Sequence, residues 1–196
     1  MKLLEQRIKQ DGYILDDNIV KVDSFLNHQL DIRFLSSLGE EIYRYFRDKE
    51  FTKILTIEAS GIALATVIAE RFNYIPVVFA KKQKTKNIGT DLFEESVKSY
   101  TTDKEYTVTV SKKFLSPDDK LLIVDDFLAE GNAMRGLIGL ANQSGASIEG
   151  LSVAIEKSFQ SGGDMIRDMG YDLLSLARIK SIANGEITFI KQDYDW

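Results

Sequence analysis

Cysteine is absent from the 196-residue chain, histidine occurs once, at His28, and proline only twice. Without a thiol there is no disulfide and no thiolate metal site, and one imidazole leaves no histidine cluster for zinc. Acidic residues outnumber basic ones by 30 to 25, a formal net charge of −5, so the chain as a whole offers no attraction to nucleic acid or to an anionic membrane. Any phosphate has to be held by a site built locally. Long apolar runs are missing as well. The opening "MKLLEQRIKQDG" is charged throughout and reads neither as a signal peptide nor as a membrane span, which points to a cytoplasmic protein. What remains is ordinary globular composition, 44% hydrophobic and 28% charged, in a length suited to one core.

Apolar spacing predicts a short helix over residues 1–9 and a longer one, N-capped by Asp31, whose Ile32, Leu35, Leu38, Ile42 and Phe46 share a face. "KILTIE" (53–58) reads as a strand, "SG" breaks it, and "IALATVIAERF" follows as a helix. "PVVFA" (76–80) is a second strand. Residues 121–125 and 132–143 repeat the strand, turn and helix unit, which Gly145 closes. "SIEGLSVAIE" (147–156) is a further strand, 164–169 a short helix stopped by Gly170, and "YDLLSLARI" another strand. Strands alternating with helices, each apolar along most of its length, predict a mostly parallel twisted sheet flanked by helices. Between Ala80 and Leu121 the alternation breaks. The basic run "KKQKTKNIG", then "SVKSYT", "TDKE" and "YTVTVS", read as a loop and an antiparallel hairpin inserted into the α/β core over residues 84–111. An insertion of this length is a candidate lid.

The stretch "LLIVDDFLAEGNA" carries the chemistry. In open α/β sheets, ligands sit at the carboxyl ends of strands, and the amides of a loop entering a helix make an anion site. Ala129, Glu130, Gly131, Asn132 and Ala133 occupy that position, with Gly131 letting the main chain approach a phosphate. Glu130 is unwelcome beside a phosphate unless its carboxylate turns away or is paired. Asp125 and Asp126 precede the loop and suit sugar hydroxyls, Mg²⁺ or a cation developing on a sugar. Taken alone, two aspartates ending a strand are equally a solvated loop or a helix cap, and the lysines 81–86 equally a solvated face.

The stretch resembles the PRPP (5-phosphoribosyl 1-diphosphate) motif of the type I phosphoribosyltransferases: an apolar run, paired acids, a short spacer, then a glycine loop and helix. Glu130 and Ala133 stand where that family usually has threonines. "IEASGIALA" falls where the family has its pyrophosphate loop, and "FAKKQK" where basic residues follow the next strand. "KVDSFLNHQ" and "IEKSFQ" are similar to segments of the xanthine phosphoribosyltransferases within it. The resemblance implies the type I phosphoribosyltransferase fold in a single domain, with the lid hairpin and a small hood built from residues 1–30 and part of 171–196. It implies transfer of a phosphoribosyl group from PRPP to xanthine, with Mg²⁺ as cofactor and a homodimer as the assembly. Asp125 and Asp126 would then hold the ribose, residues 129–133 the 5′-phosphate, and the turn of Ala59, Ser60 and Gly61 the pyrophosphate. Lys81, Lys82 and Lys84 would neutralise the leaving group, in cis or across the dimer. Val20, Asn27 and Lys157 would meet the purine, with Phe159 placed to stack on it. No metal ligand is assigned directly. Two other readings stay open: a PRPP-sensing regulator on the same fold, and a guanine or hypoxanthine transferase. The residues ahead of Lys53 are acidic or neutral in balance, unlike a DNA-reading domain.

Overall fold

In a computed structural model the structure describes residues 1–15, 19–82, 91–98 and 105–192. The chain begins with α1 (Lys2–Asp11), the small ribbon β1 (Tyr13–Leu15) and β2 (Ile19–Lys21), a π-helical turn (Asp23–Asn27) and α2 (Ile32–Phe46). β3 (Lys53–Ile57), α3 (Ser60–Arg71) and β4 (Val77–Ala80) follow, then the hairpin β5 (Leu92–Lys98) and β6 (Glu105–Ser111). The second half runs β7 (Lys120–Leu128), α4 (Asn132–Ser144), β8 (Ser147–Lys157), α5 (Gly162–Asp168), β9 (Leu173–Ala183) and β10 (Glu186–Phe189).

Six strands make the main sheet in the order β10-β9-β8-β7-β3-β4. All pairs are parallel except β10 with β9. Parallel neighbours need crossovers, and α3, α4 and α5 supply them. Covered on both faces, the central strands are apolar along their length. Alternation sends Ile54, Leu122 and Val124 into one core with α2 and α3, and Leu55, Ile57, Leu121 and Ile123 into the other with α4. α1 packs on β9, the π-helical turn on α3, and the Met1 ammonium donates to the Leu176 carbonyl.

Asp31 caps α2 as its position predicts, accepting from the Phe34 amide at 3.0 Å. Ile32, assigned to the buried face from its spacing, is 60% exposed, because the first helical residue precedes the turn that docks on the core. β7 continues three residues past Asp125 to Leu128, pairing Phe127 with Ile155 and Leu128 with Glu156. The paired acids therefore lie within the ladder and not at its end. β10 was not foreseen. It follows a tight turn at Asn184 and Gly185, both with positive φ (52° and 75°), which is an Asn-Gly hairpin signal.

The inserted hairpin is regular, from Leu92↔Ser111 to Lys98↔Glu105. It begins earlier than its alternation suggested, and Lys84 and most of the expected "TDKE" turn lie outside the described residues. Its base is anchored on both sides. A bridge between Lys81 and Thr109 joins it to the end of β4, each amide donating to the other residue's carbonyl at 3.0 and 2.9 Å. On α4, Gln143 donates to the Glu94 carbonyl at 2.9 Å and to the Glu95 carboxylate at 2.8 Å. Among the described residues, no helix is long and apolar enough to cross a membrane.

Candidate active site

β7 delivers Asp125 and Asp126 to the carboxyl edge of the sheet, 5% and 8% exposed. Strand alternation parts their side chains. Asp125 Oδ1 accepts from the Asp126 amide at 2.9 Å, while Asp126 Oδ2 accepts from the Asn27 side-chain amide at 3.2 Å. Asp126 thus faces the amino-terminal segment, and Asp125 faces the inserted hairpin. Burial, followed by the neighbouring Asp126 charge, pushes the Asp125 carboxyl well above the usual carboxylate range, and the Lys82 charge opposes that shift. On the hairpin, burial and then the Asp125 charge raise the Tyr106 phenol, and the Lys82 ammonium stands 5.8 Å from its ring centre.

The loop after β7 is shaped for close main-chain approach. Gly131 adopts the left-handed conformation (φ 80°, ψ 7°) directly before α4, where a side chain is disfavoured. A Cβ there would also stand 2.9 Å from Met165 Cε and 3.2 Å from Gly162 Cα. Glu130 turns aside and accepts from the Ser161 hydroxyl at 3.0 Å, and the Gly162 amide donates to the Ala129 carbonyl at 3.1 Å. The segment opening α5 therefore braces this loop from behind. Asn132 and Ala133 form the first turn of α4, whose N-terminus has no side-chain cap.

Ala59 is the N-cap of α3, and Ser60 and Gly61 open the helix after a cis Glu58–Ala59 peptide. A Cβ at Gly61 would lie 3.4 Å from Asp125 Oδ1 and would collide with Thr56 Oγ1, so glycine is what lets this turn close on the aspartate. Glu58, to which the sequence reading gave no role, accepts from the Lys82 amide at 2.7 Å and ties this turn to the start of the insertion. Nothing in the local pattern of "KILTIE" marked it.

Of the residues that the resemblance places at the purine, Val20 is 6% exposed and packs in the core that also contains Val22 and Phe25. Asn27 ends the π-helical turn and reaches Asp126. Lys157 ends β8 at 8% exposure, and burial draws its ammonium below the usual lysine range. Phe159, two residues on, is 39% exposed. Among the described residues, no group of three or more His, Cys, Asp or Glu is gathered to hold a metal ion.

Residues 21–165 match the phosphoribosyl transferase domain. The chain belongs to the phosphoribosyltransferase family. It is 52% identical over 191 residues to the xanthine phosphoribosyltransferase of Lachnoclostridium phytofermentans, covering 96% of this chain and 98% of that protein. It is 48% identical over 189 residues to the xanthine phosphoribosyltransferase of Ruminiclostridium cellulolyticum, covering 96% and 99%. Among solved structures, the APRTase of Giardia lamblia complexed with 9-deazaadenine is similar in fold, with a TM-score of 0.75 at 21% identity over 89% of this chain and 97% of that one.

Proposed function

We propose that this chain transfers the 5-phosphoribosyl group of PRPP to xanthine, giving xanthosine 5′-monophosphate and pyrophosphate as a step of purine salvage. The observation that carries the reading is the placement of two buried carboxylates between a glycine phosphate loop and an amide donor, in a chain about half identical to xanthine phosphoribosyltransferases along nearly its whole length.

The bond from the ribose anomeric carbon to pyrophosphate breaks as the bond to the purine nitrogen forms, and xanthine gives up its proton. Positive charge develops on the sugar and negative charge on the departing pyrophosphate. Asp126 and Asp125 would accept from the ribose hydroxyls and favour the sugar's charge. Main-chain amides at residues 129–133 would hold the 5′-phosphate. Those at Ala59, Ser60 and Gly61 would hold the pyrophosphate, with Lys81 and Lys82 nearby to balance its charge. Asn27 and Lys157 are donors suited to the two exocyclic oxygens of xanthine, and the face of Phe159 is available for stacking. Val20 would supply an apolar wall.

Phosphoribosyltransferases generally use Mg²⁺ with PRPP, and the acids here fit one. Mg²⁺ is commonly held by one or two carboxylates together with substrate phosphates, and repulsion between Asp125 and Asp126 is what a divalent cation relieves. When bound it would neutralise phosphate oxygens of PRPP. The hairpin would act as lid, keeping water from the activated sugar, and the amino-terminal segment with β9 and β10 as hood. A cytoplasmic homodimer is the assembly we infer, to be read by light scattering. Incubating the protein with PRPP, xanthine and Mg²⁺ tests the reaction: xanthosine 5′-monophosphate and pyrophosphate should appear in equal amounts. Tight PRPP binding with no nucleotide formed from any base would favour a PRPP sensor instead.

A further inference from the structure

We propose that Glu156 is a positioning residue for purine recognition, fixing the chain on both sides of Lys157 and tying that turn to α5. The proposal rests on the reading of Lys157 and Phe159 as base-site residues.

Glu156 is 0% exposed, yet it is a carboxylate at the carboxyl end of a core strand. Five hydrogen bonds reach it. Arg167 of α5 donates twice, at 3.1 Å to Oε1 and 2.6 Å to Oε2; Ser158 donates at 2.6 Å, Ser175 at 2.5 Å and Arg178 at 3.1 Å. Burial alone would raise this carboxyl, but the bonds from Arg167, Ser158 and Ser175 outweigh it and hold the group at about 2. A buried ion pair adds little net stability compared with apolar side chains of similar volume, so such a cage is better explained by the geometry it fixes.

That geometry concerns the base turn. Glu156 points toward α5, whose Gly163 lies against its carboxylate. Lys157, the next strand residue, leaves by the opposite face. It pairs in register with Ile179, which belongs to the same core as Val20. The residue after Lys157 is Ser158, whose hydroxyl is bound to Glu156 and is also within 3.2 Å of Arg178 Nε. Lys157 is thus held from both neighbours, and Phe159 leaves a pinned residue. α5 also has a second attachment. Ser161, just before it, meets Glu130, and its first residue, Gly162, meets the Ala129 carbonyl of the phosphate loop. The segment opening α5 thus has its own contacts to the phosphate loop through Ser161 and Gly162, while Glu156 ties α5 to the base turn.

The test compares three variants with wild type in initial-rate assays, varying xanthine and PRPP separately. Ser158→Ala removes the bond from the base turn to Glu156, together with the contact from Arg178 Nε, and should raise the xanthine KM roughly fivefold to tenfold, leaving the PRPP KM within about twofold. Glu156→Gln should raise the xanthine KM further, by at least about fivefold more than the PRPP KM, with kcat at saturating xanthine little changed. Ser175→Ala also removes one bond to Glu156, but on β9, away from the turn. It should leave the xanthine KM within about twofold even if the melting temperature falls. Equal rises in both KM values, or a Ser175→Ala effect as large as that of Ser158→Ala, would overturn the proposal and mean general loosening. Wild-type turnover of xanthine in the same assays reports separately on the parent reading, and its absence would remove both.

Discussion

Asn27 and Asp126 lie 99 residues apart in the chain and meet at the site, the side-chain amide of one donating to the carboxylate of the other at 3.2 Å. A donor suited to a purine oxygen and an acceptor suited to a ribose hydroxyl thus satisfy each other across the place where base and sugar would join. On the proposed reading, each substrate would replace a bond that the protein already makes.

Replacing Asn27 by Ala removes the donor proposed for the base and the partner of Asp126 together. The expected outcome is a fall of roughly 10- to 100-fold in kcat/KM for xanthine, in line with one or two hydrogen bonds at a buried site, with the fold retained by circular dichroism. Unchanged kinetics would place Asn27 outside base recognition.

The acids should matter more to kcat than to KM. Asp125→Asn and Asp126→Asn are each expected to lower kcat by roughly 10²-fold or more, the range for one preorganised electrostatic contact. Full activity in both variants would reduce the pair to an ordinary piece of strand.

Gly131 tests the phosphate loop. Its positive φ strains any side chain, and a methyl group there would press on Gly162 Cα and displace the end of the Met165 side chain. Gly131→Ala should cost roughly 1–2 kcal/mol in urea unfolding from backbone strain alone, and should raise the PRPP KM more than the xanthine KM. A PRPP KM equal to that of wild type would move the phosphate elsewhere.

Glu156 sets an acid limit on stability. Its folded pKa of about 2 lies below the ordinary value of 4.5, so its contribution is fully present above the unfolded value and is lost as pH falls from there through about 2. The arithmetic gives on the order of 3 kcal/mol for this shift. Urea unfolding of wild type and Glu156→Gln between pH 6 and pH 2 should show the gap between them closing with acidification. A constant gap would mean that the carboxyl titrates alike in the folded and unfolded states, and a gap that widened with acidification would mean that it is protonated in the folded protein.

Local pattern carried the alternating strands and helices, the cap at Asp31, the glycine turn at Gly131 that opens α4 and the acids before it, because each rests on spacing within a few residues. It did not carry partners chosen at long range. The sequence posed Glu130 as a problem, and its solution, the Ser161 hydroxyl, stands 31 residues away. Glu58 reads as a strand end until the Lys82 amide is found upon it. Asp125 and Asp126 were expected to end their strand, and the ladder runs on past them because Phe127 and Leu128 still pair with β8. The Asn184–Gly185 pair that turns the chain into β10 is a local hairpin signal that the sequence reading passed over.

The most direct measurement is a competition. Wild-type protein and Lys157→Ala each receive limiting PRPP with Mg²⁺ and an equimolar mixture of xanthine, guanine, hypoxanthine and adenine, and the nucleotides formed are separated and quantified. Their ratios report relative kcat/KM without any need to saturate the enzyme. With wild type, xanthosine 5′-monophosphate should predominate, guanosine and inosine monophosphates should be minor, and adenosine monophosphate should be near background. With Lys157→Ala the margin of xanthine over hypoxanthine should shrink by roughly 5- to 150-fold, the equivalent of about 1 to 3 kcal/mol for a charged hydrogen bond. Adenosine monophosphate formed as abundantly as xanthosine monophosphate by the wild-type protein would contradict the account.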